Sequence, residues 1–357
     1  MSIAVYSSNS EDDPFLDPFN TLIVNVLQSE WSGGGLLVFS RSKGPVPVTV
    51  DPGVRIALLS KRREGFLGRS LEKSRVLPRL LRKNKIRALI LTDIKDTLRF
   101  PIPQFLLLQN AAGYTSKQLP ALQKLAGIVV SSGLLKSMLV ENTGLDPEKV
   151  LVVEGLLLPG LKPPEALAQL DFKNRVTAGR EFFICADTQW SRKQLLTLLK
   201  AFSQFKKMQQ SGWKLLLTQR GRHPGRAFST VFDVLDTYKY REDVILFESS
   251  GAPDYAMALG AAYAAITFAQ EDAFPAAAAE ALTCQVPVVA AITGREPLHP
   301  DVFLFEAAQE ASLAQRMMEL YKNEGLRLQF IQRYEQHPLK LSPDAGLSLL
   351  KKRLLQA

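Results

Sequence analysis

Histidine and cysteine are scarce in this chain of 357 residues, with three of the first and two of the second. Cys185 and Cys284 both stand in apolar surroundings, which favours buried thiols in a reducing compartment over a disulfide framework or a metal site. His223, His299 and His337 all lie in the second half, and each precedes a proline. Without a histidine in the first half, no Ser-His or Cys-His nucleophilic pair can be assembled there, and a histidine-rich metal site is not expected. No apolar run reaches the roughly 18 residues of a membrane span, and no secretory pattern is present. These absences lead to the expectation of a cytoplasmic protein.

What is present is ordinary in bulk and uneven in detail. Hydrophobic residues make up 46% and charged residues 22%, enough apolar material for substantial cores, and the length suggests about two domains. Between Arg55 and Arg99 stand fourteen Lys or Arg against the acids Glu64, Glu72, Asp93 and Asp96. That excess of ten is larger than the net charge of +9 for the whole chain, so the positive charge is concentrated here. Arg62, Arg63, Arg69 and Arg75 interleave with Phe66, Leu67, Leu71 and Leu77 in a manner suited to an anionic membrane surface, placing the protein peripherally on the inner face of a membrane. A helix with a leucine stripe in the core and a solvated basic face fits the same residues. Nucleic acid is not expected, since no stacking-aromatic pattern or binding motif accompanies the charge.

Short apolar runs alternate with helical patterns along the whole chain. Strands are read at Ile3–Tyr6, Leu36–Phe39, Val54–Leu59, Arg87–Thr92, Gln104–Leu108, Leu125–Ser132 and Lys149–Gly155, with a helix over Phe19–Gln28. Further strands follow at Glu181–Ala186, Lys214–Thr218 and Asp243–Phe247, with helices over Leu195–Met208 and Pro253–Ala264. This alternation predicts parallel, doubly wound sheets. Gly33, Gly34 and Gly35 precede a strand, the wrong polarity for a nucleotide-binding turn. Pro159–Pro164 and the polar run to Arg180 are read as the linker. Helices over Leu313–Tyr321, Leu326–Tyr334 and Ala345–Leu355 close the chain.

The densest signal runs from Ala265 to Ala291: a short strand, a loop with Glu271 and Asp272, a helix starting near Pro275, a break at Gln285, and a buried strand. In an open parallel sheet, ligands sit beyond the carboxyl ends of the strands, beside helix N-termini. Asp272-Ala273-Phe274-Pro275, four alanines, Glu280-Ala281 and then Pro287-Val288-Val289 resemble the donor-site signature of the retaining family-4-type glycosyltransferases of the GT-B fold. That signature has two Glu, the first replaced here by Asp272 with Glu271 beside it. Arg192-Lys193, followed by Leu198-Leu199-Lys200-Ala201-Phe202, is similar to the same family's first donor-domain loop and helix. Thr188 stands where the family often has another Arg, and Gln109-Asn110 where it usually places a His.

The resemblance implies two Rossmann-like doubly wound domains, with a C-terminal helix crossing back to the first. The boundaries expected are 1–172 for the acceptor side, 173–342 for the donor domain and 343–357 for the helix. It also implies transfer of a sugar from a nucleotide-sugar donor to a glycan or lipid-linked hydroxyl acceptor, retaining and metal-independent, with no cofactor beyond the substrate. Glu280 would hold the ribose hydroxyls, Asp272 or Glu271 the hydroxyls of the transferred sugar, and Lys193 with Arg192 the diphosphate, with Thr188 and Phe274 lining the donor site. The alternative is a GT-B protein whose donor site has decayed and which serves as a binding or scaffold subunit.

Overall fold

The computed structural model describes residues 2–6, 18–29, 36–40, 55–58, 72–109, 111, 114–186, 191–218, 229–268, 274–292 and 297–356. The chain divides into two compact units, one of Met1–Leu156, Asp272–Phe274 and Leu341–Ala357, the other of Leu157–Glu271 and Pro275–Lys340. Each is built around one parallel sheet.

In the first unit, strands β1 (Ser2–Tyr6), β2 (Leu36–Ser40), β3 (Arg55–Leu58), β4 (Ile86–Leu91), β5 (Gln104–Leu108), β6 (Gly127–Val130) and β7 (Val150–Val152) lie in the order β3-β2-β1-β4-β5-β6-β7. Every neighbouring pair is parallel. The chain winds outward from β1 to β3, then returns to β4 on the other side of β1. Runs such as Phe105 to Leu108 and Ile128 to Val130 are buried throughout, as strands covered by helices on both faces must be. Leu89, Leu91, Leu106, Leu108, Ile128 and Val130 pack on one face against Leu77 and Leu81 of the Leu77–Lys83 helix and Leu135 and Leu139 of the Gly133–Thr143 helix. The latter helix starts where Ser132 Oγ accepts the Leu135 N–H at 3.0 Å and stops at Gly144, whose φ of 72° suits the left-handed helix end.

The C-terminal helix, Asp344–Gln356, belongs to this unit. Leu347, Leu350 and Leu354 recur at i, i+3 and i+7 and are buried. Arg353 donates to the Glu148 carbonyl at 2.6 Å, and Gly346 lets the helix backbone settle onto the end of β7.

In the second unit, β8 (Phe182–Cys185), β9 (Lys214–Thr218), β10 (Val244–Phe247), β11 (Ala264–Thr267), β12 (Val288–Ala291) and β13 (Phe303–Phe305) lie in the order β10-β9-β8-β11-β12-β13, all parallel. The winding reverses between β8 and β11. Leu195, Leu198, Leu199, Phe202 and Phe205 of the Arg192–Gln209 helix are buried at helical spacing, against Phe183, Leu215 and Leu217 of the sheet. Trp213, Tyr263 and Tyr321 close that core, with the Trp213 and Tyr263 ring centroids 4.7 Å apart and their planes inclined at 67°. Edge-to-face pairs of this kind add about 0.5–1.5 kcal/mol beyond their area.

The run read as a linker holds a helix, Ala166–Thr177, and the units divide at Leu156 and Leu157. Its sequence is polar because most of the helix faces solvent. Phe172 anchors it, buried against Phe182 and Phe247 at 6.0 and 5.4 Å. No helix among the described residues is long and apolar enough to cross a membrane.

Candidate functional site

The winding reverses beside β8, between the carboxyl ends of β8 and β11, and such a reversal is where sheets of this kind take ligands. Both segments singled out in the sequence leave the sheet there. β8 runs out at Cys185 and is followed by the helix beginning at Arg192; β11 runs out at Thr267 and is followed by the Ala276–Thr283 helix. Thr188, Glu271 and Asp272 fall in the connections and lie outside the described residues. Phe274 is half-buried just before its helix.

Ser191 and Gln194 form a capping box: Ser191 Oγ accepts the Gln194 N–H at 3.2 Å, and Gln194 Oε1 accepts the Ser191 N–H at 2.9 Å. The remaining Gln194 amide N–H donates to the Phe268 carbonyl at 3.4 Å, tying this turn to the end of β11. Between the two capping residues stand Arg192 and Lys193, both exposed and without an ionic or hydrogen-bonding partner among the described residues. Two cations in a first helical turn oppose the helix dipole by about 0.3–1 kcal/mol each. An anion docked on the turn reverses that sign.

Glu280 is wholly buried in the Ala276–Thr283 helix. One carboxylate oxygen accepts the Leu158 N–H at 3.1 Å, and the other accepts the hydroxyl of Tyr255, itself buried, at 3.0 Å. The helix around Glu280 carries alanines at 276, 277, 278, 279 and 281, which lets it lie close against β11 and β12. The sequence singles out Glu280 but not Tyr255 or the Leu158 amide, because partners 25 and 122 residues away leave no local pattern.

The segment carrying Leu158 is pressed onto the same helices. A Cβ at Gly260 would stand 2.3 Å from Pro164 Cδ, so only glycine allows this approach. Cys284, next to that contact, is a free buried thiol. Burial first, and then the charge of Glu280, push it from 9.0 up to about 12, against a lowering contact from the Lys162 backbone. It is a core group, as its apolar surroundings in the sequence suggest. His299 is likewise structural, with Nε2 2.9 Å from the His337 carbonyl.

Of the basic region, Arg62, Arg63 and Arg69 lie outside the described residues, while Arg75 is exposed. Lys73 is engaged, bonded to Asp96 at 2.8 Å.

Residues 168–337 match the family model described as Glycosyl transferases group 1. No curated protein matches the chain. Among solved structures, Anabaena Alr3699/HepE in complex with UDP and glucose is similar at 10% identity and a TM-score of 0.72, covering 100% of this chain and 99% of that one. WaaG, a glycosyltransferase involved in lipopolysaccharide biosynthesis, is similar at 12% identity and a TM-score of 0.72, covering 98% and 99%. Sucrose-phosphate synthase from Thermosynechococcus elongatus is similar at 14% identity and a TM-score of 0.66, covering 99% and 98%. The chain has the α/β fold of these GT-B glycosyltransferases.

Proposed function

We propose that the protein transfers a sugar from a nucleotide-sugar donor to a hydroxyl acceptor, glycan or lipid-linked, with retention and without a metal. The family match over the second unit and the fold support this reading. The observation that carries it is the pair of cations, Arg192 and Lys193, exposed and without a partner among the described residues, on a turn tied by Gln194 to the end of β11 at the reversal of the winding. A diphosphate leaving group gathers negative charge as the glycosidic bond breaks, and cations fixed in advance at that point lower the barrier. Lys193 and Arg192 would receive the diphosphate, Glu280 the ribose hydroxyls, and Asp272 or Glu271 the hydroxyls of the transferred sugar, with Thr188 and Phe274 alongside. No side chain need act as nucleophile.

Lys193→Ala should weaken binding of UDP, or of whichever nucleoside diphosphate a panel identifies, about tenfold, close to 1.4 kcal/mol. The melting temperature should hold, because an exposed unpaired cation contributes little to stability. Unchanged affinity by calorimetry would take Lys193 out of the site.

A second reading, a decayed donor site kept for binding or scaffolding, is favoured by one observation. Both oxygens of Glu280 already accept hydrogen bonds from the protein.

Contact of the first unit with an anionic membrane surface belongs to the same proposal, with Arg75 and Arg79 exposed on one short basic stretch. Reversing the charge of Arg62, Arg63, Arg69 and Arg75 together should abolish cosedimentation with anionic vesicles. Equal sedimentation of parent and variant would leave a solvated face.

A further inference from the structure

Gln194 uses its side chain twice, and only one of the two uses belongs to the helix it opens. Its Oε1 accepts the Ser191 N–H at 2.9 Å, completing the capping box, and its Nε2 donates to the Phe268 carbonyl at 3.4 Å. The first bond needs an acceptor and the second a donor. Glutamate satisfies such a cap as well as glutamine does. It would also bring a negative charge to a first turn that holds Arg192 and Lys193 and no acid, which suits the helix dipole. The cap therefore does not require an amide. The bond to Phe268 does, because a carboxylate has no proton to donate to a carbonyl.

Both ends of that bond are fixed. Gln194 is half-buried directly before Leu195, the first residue of the buried stripe that seats the Arg192–Gln209 helix on the sheet. Phe268 is buried, with its ring 5.4 Å from that of Phe305. It directly follows β11, which is paired on one side with β8 and on the other with β12. Gln194 thus joins the turn after β8 to the end of β11, two supports 74 residues apart in sequence. Arg192 and Lys193 stand on the held turn, exposed. Long cationic side chains lose rotamer freedom when they grip an anion, and the total cost of ordering is smaller where the backbone that carries them is already held.

We infer that Gln194 is a positioning residue: its amide, through the Phe268 carbonyl, holds the turn of Arg192 and Lys193 against the end of β11 so that both cations meet a diphosphate together. Gln194 itself touches no ligand. The role rests on the donor reading of Lys193 and Arg192, whose failure shows separately.

The test separates cap from tie in the full chain, with UDP and inorganic pyrophosphate as probes in calorimetry. Ser191→Ala breaks the cap and keeps the tie, so the melting temperature should fall by about 2–4 °C while both probes bind within about twofold of the parent. Gln194→Glu keeps the cap and breaks the tie, and Gln194→Met breaks both without adding charge. Each should bind the probes about fivefold more weakly, and the melting temperature of Gln194→Glu should not fall. The deficit of Gln194→Glu should persist in roughly 0.5 M salt, which screens a simple charge effect. Gln194→Met placed in the Lys193→Ala variant should cost clearly less affinity than it does in the parent, since the amide acts through the cations. Parent-like binding by Gln194→Met, or a deficit confined to Gln194→Glu that vanishes in the salt, would overturn the role and leave Gln194 as a cap. Equal weakening by Ser191→Ala would overturn it too, because the cap alone would then place the cations. A parent that binds neither probe removes the donor reading and this role together, whereas binding weakened by Lys193→Ala and untouched by Gln194→Met removes the role alone.

Discussion

Replacing Glu280 by alanine should lower the thermal midpoint by about 10 °C. The Leu158 N–H and the Tyr255 hydroxyl both donate to this carboxylate in a volume closed to water. Alanine removes both hydrogen bonds, at about 1–3 kcal/mol each, and the vacated space adds to the loss. For a unit of this size each kcal/mol shifts the midpoint by roughly 2–4 °C. Glu280→Gln should cost far less, about 1 kcal/mol. Its amide oxygen can take the Leu158 N–H while its amide N–H donates to the tyrosine oxygen, which is able to accept. The glutamine variant therefore separates two roles that alanine confounds. If Glu280 also holds the ribose, Glu280→Gln binds nucleoside diphosphate about tenfold more weakly by calorimetry at a nearly unchanged midpoint. Equal binding by parent and variant would leave Glu280 as a brace between the Leu158 segment and two helices, and would favour the binding-subunit reading. A midpoint unchanged in the alanine variant would contradict the hydrogen bonding described for this site.

Gly346→Ala should loosen the C-terminal helix from the first unit. A Cβ at Gly346 would lie 2.1 Å from the Val152 carbonyl oxygen and 3.0 Å from the Val153 Cα, both backbone atoms that no side-chain rotation can clear. The helix must shift, and overpacking of this kind costs about 1–3 kcal/mol. The shift also draws Leu347, Leu350 and Leu354 from the core and breaks the Arg353 bond to Glu148. Limited trypsin digestion should then cleave at Lys351 and Lys352 many times faster than in the parent, with mass spectrometry identifying the fragment. Gly133→Ala is the control, since nothing stands within 4 Å of a Cβ there. Equal cleavage of Gly346→Ala and Gly133→Ala would mean that the close approach at Gly346 does not hold the helix in place.

Much of this was legible in the residues themselves. Strands such as Gln104–Leu108 and Lys214–Thr218 are bounded as their apolar runs suggest, because a strand covered on both faces must be apolar at nearly every position. The Arg192–Gln209 helix shows its stripe and its Ser191–Gln194 cap in adjacent residues, so its start and its buried face are local facts. The two segments proposed for the donor site stand out in the sequence for the same reason: each is a strand, a connection and a helix, complete within about twenty residues. Composition misled at Ala166–Thr177, where one buried aromatic outweighs a polar surface.

The order of the strands was beyond local reading. Alternating strands and helices specify parallel pairing, but which strand neighbours β8 depends on how two sheets' worth of apolar surface is buried at once, and this order places the ends of β8 and β11 together. The partners of Glu280 depend on it too, since a backbone amide 122 residues away becomes a hydrogen-bond donor only after the segment carrying Leu158 is pressed against the helices. The sequence alone determined the elements and the residue types offered at their ends. Tertiary structure decided which ends meet and which polar groups pair there, because burial and hydrogen-bond satisfaction are settled by the whole packed unit and not by neighbours along the chain.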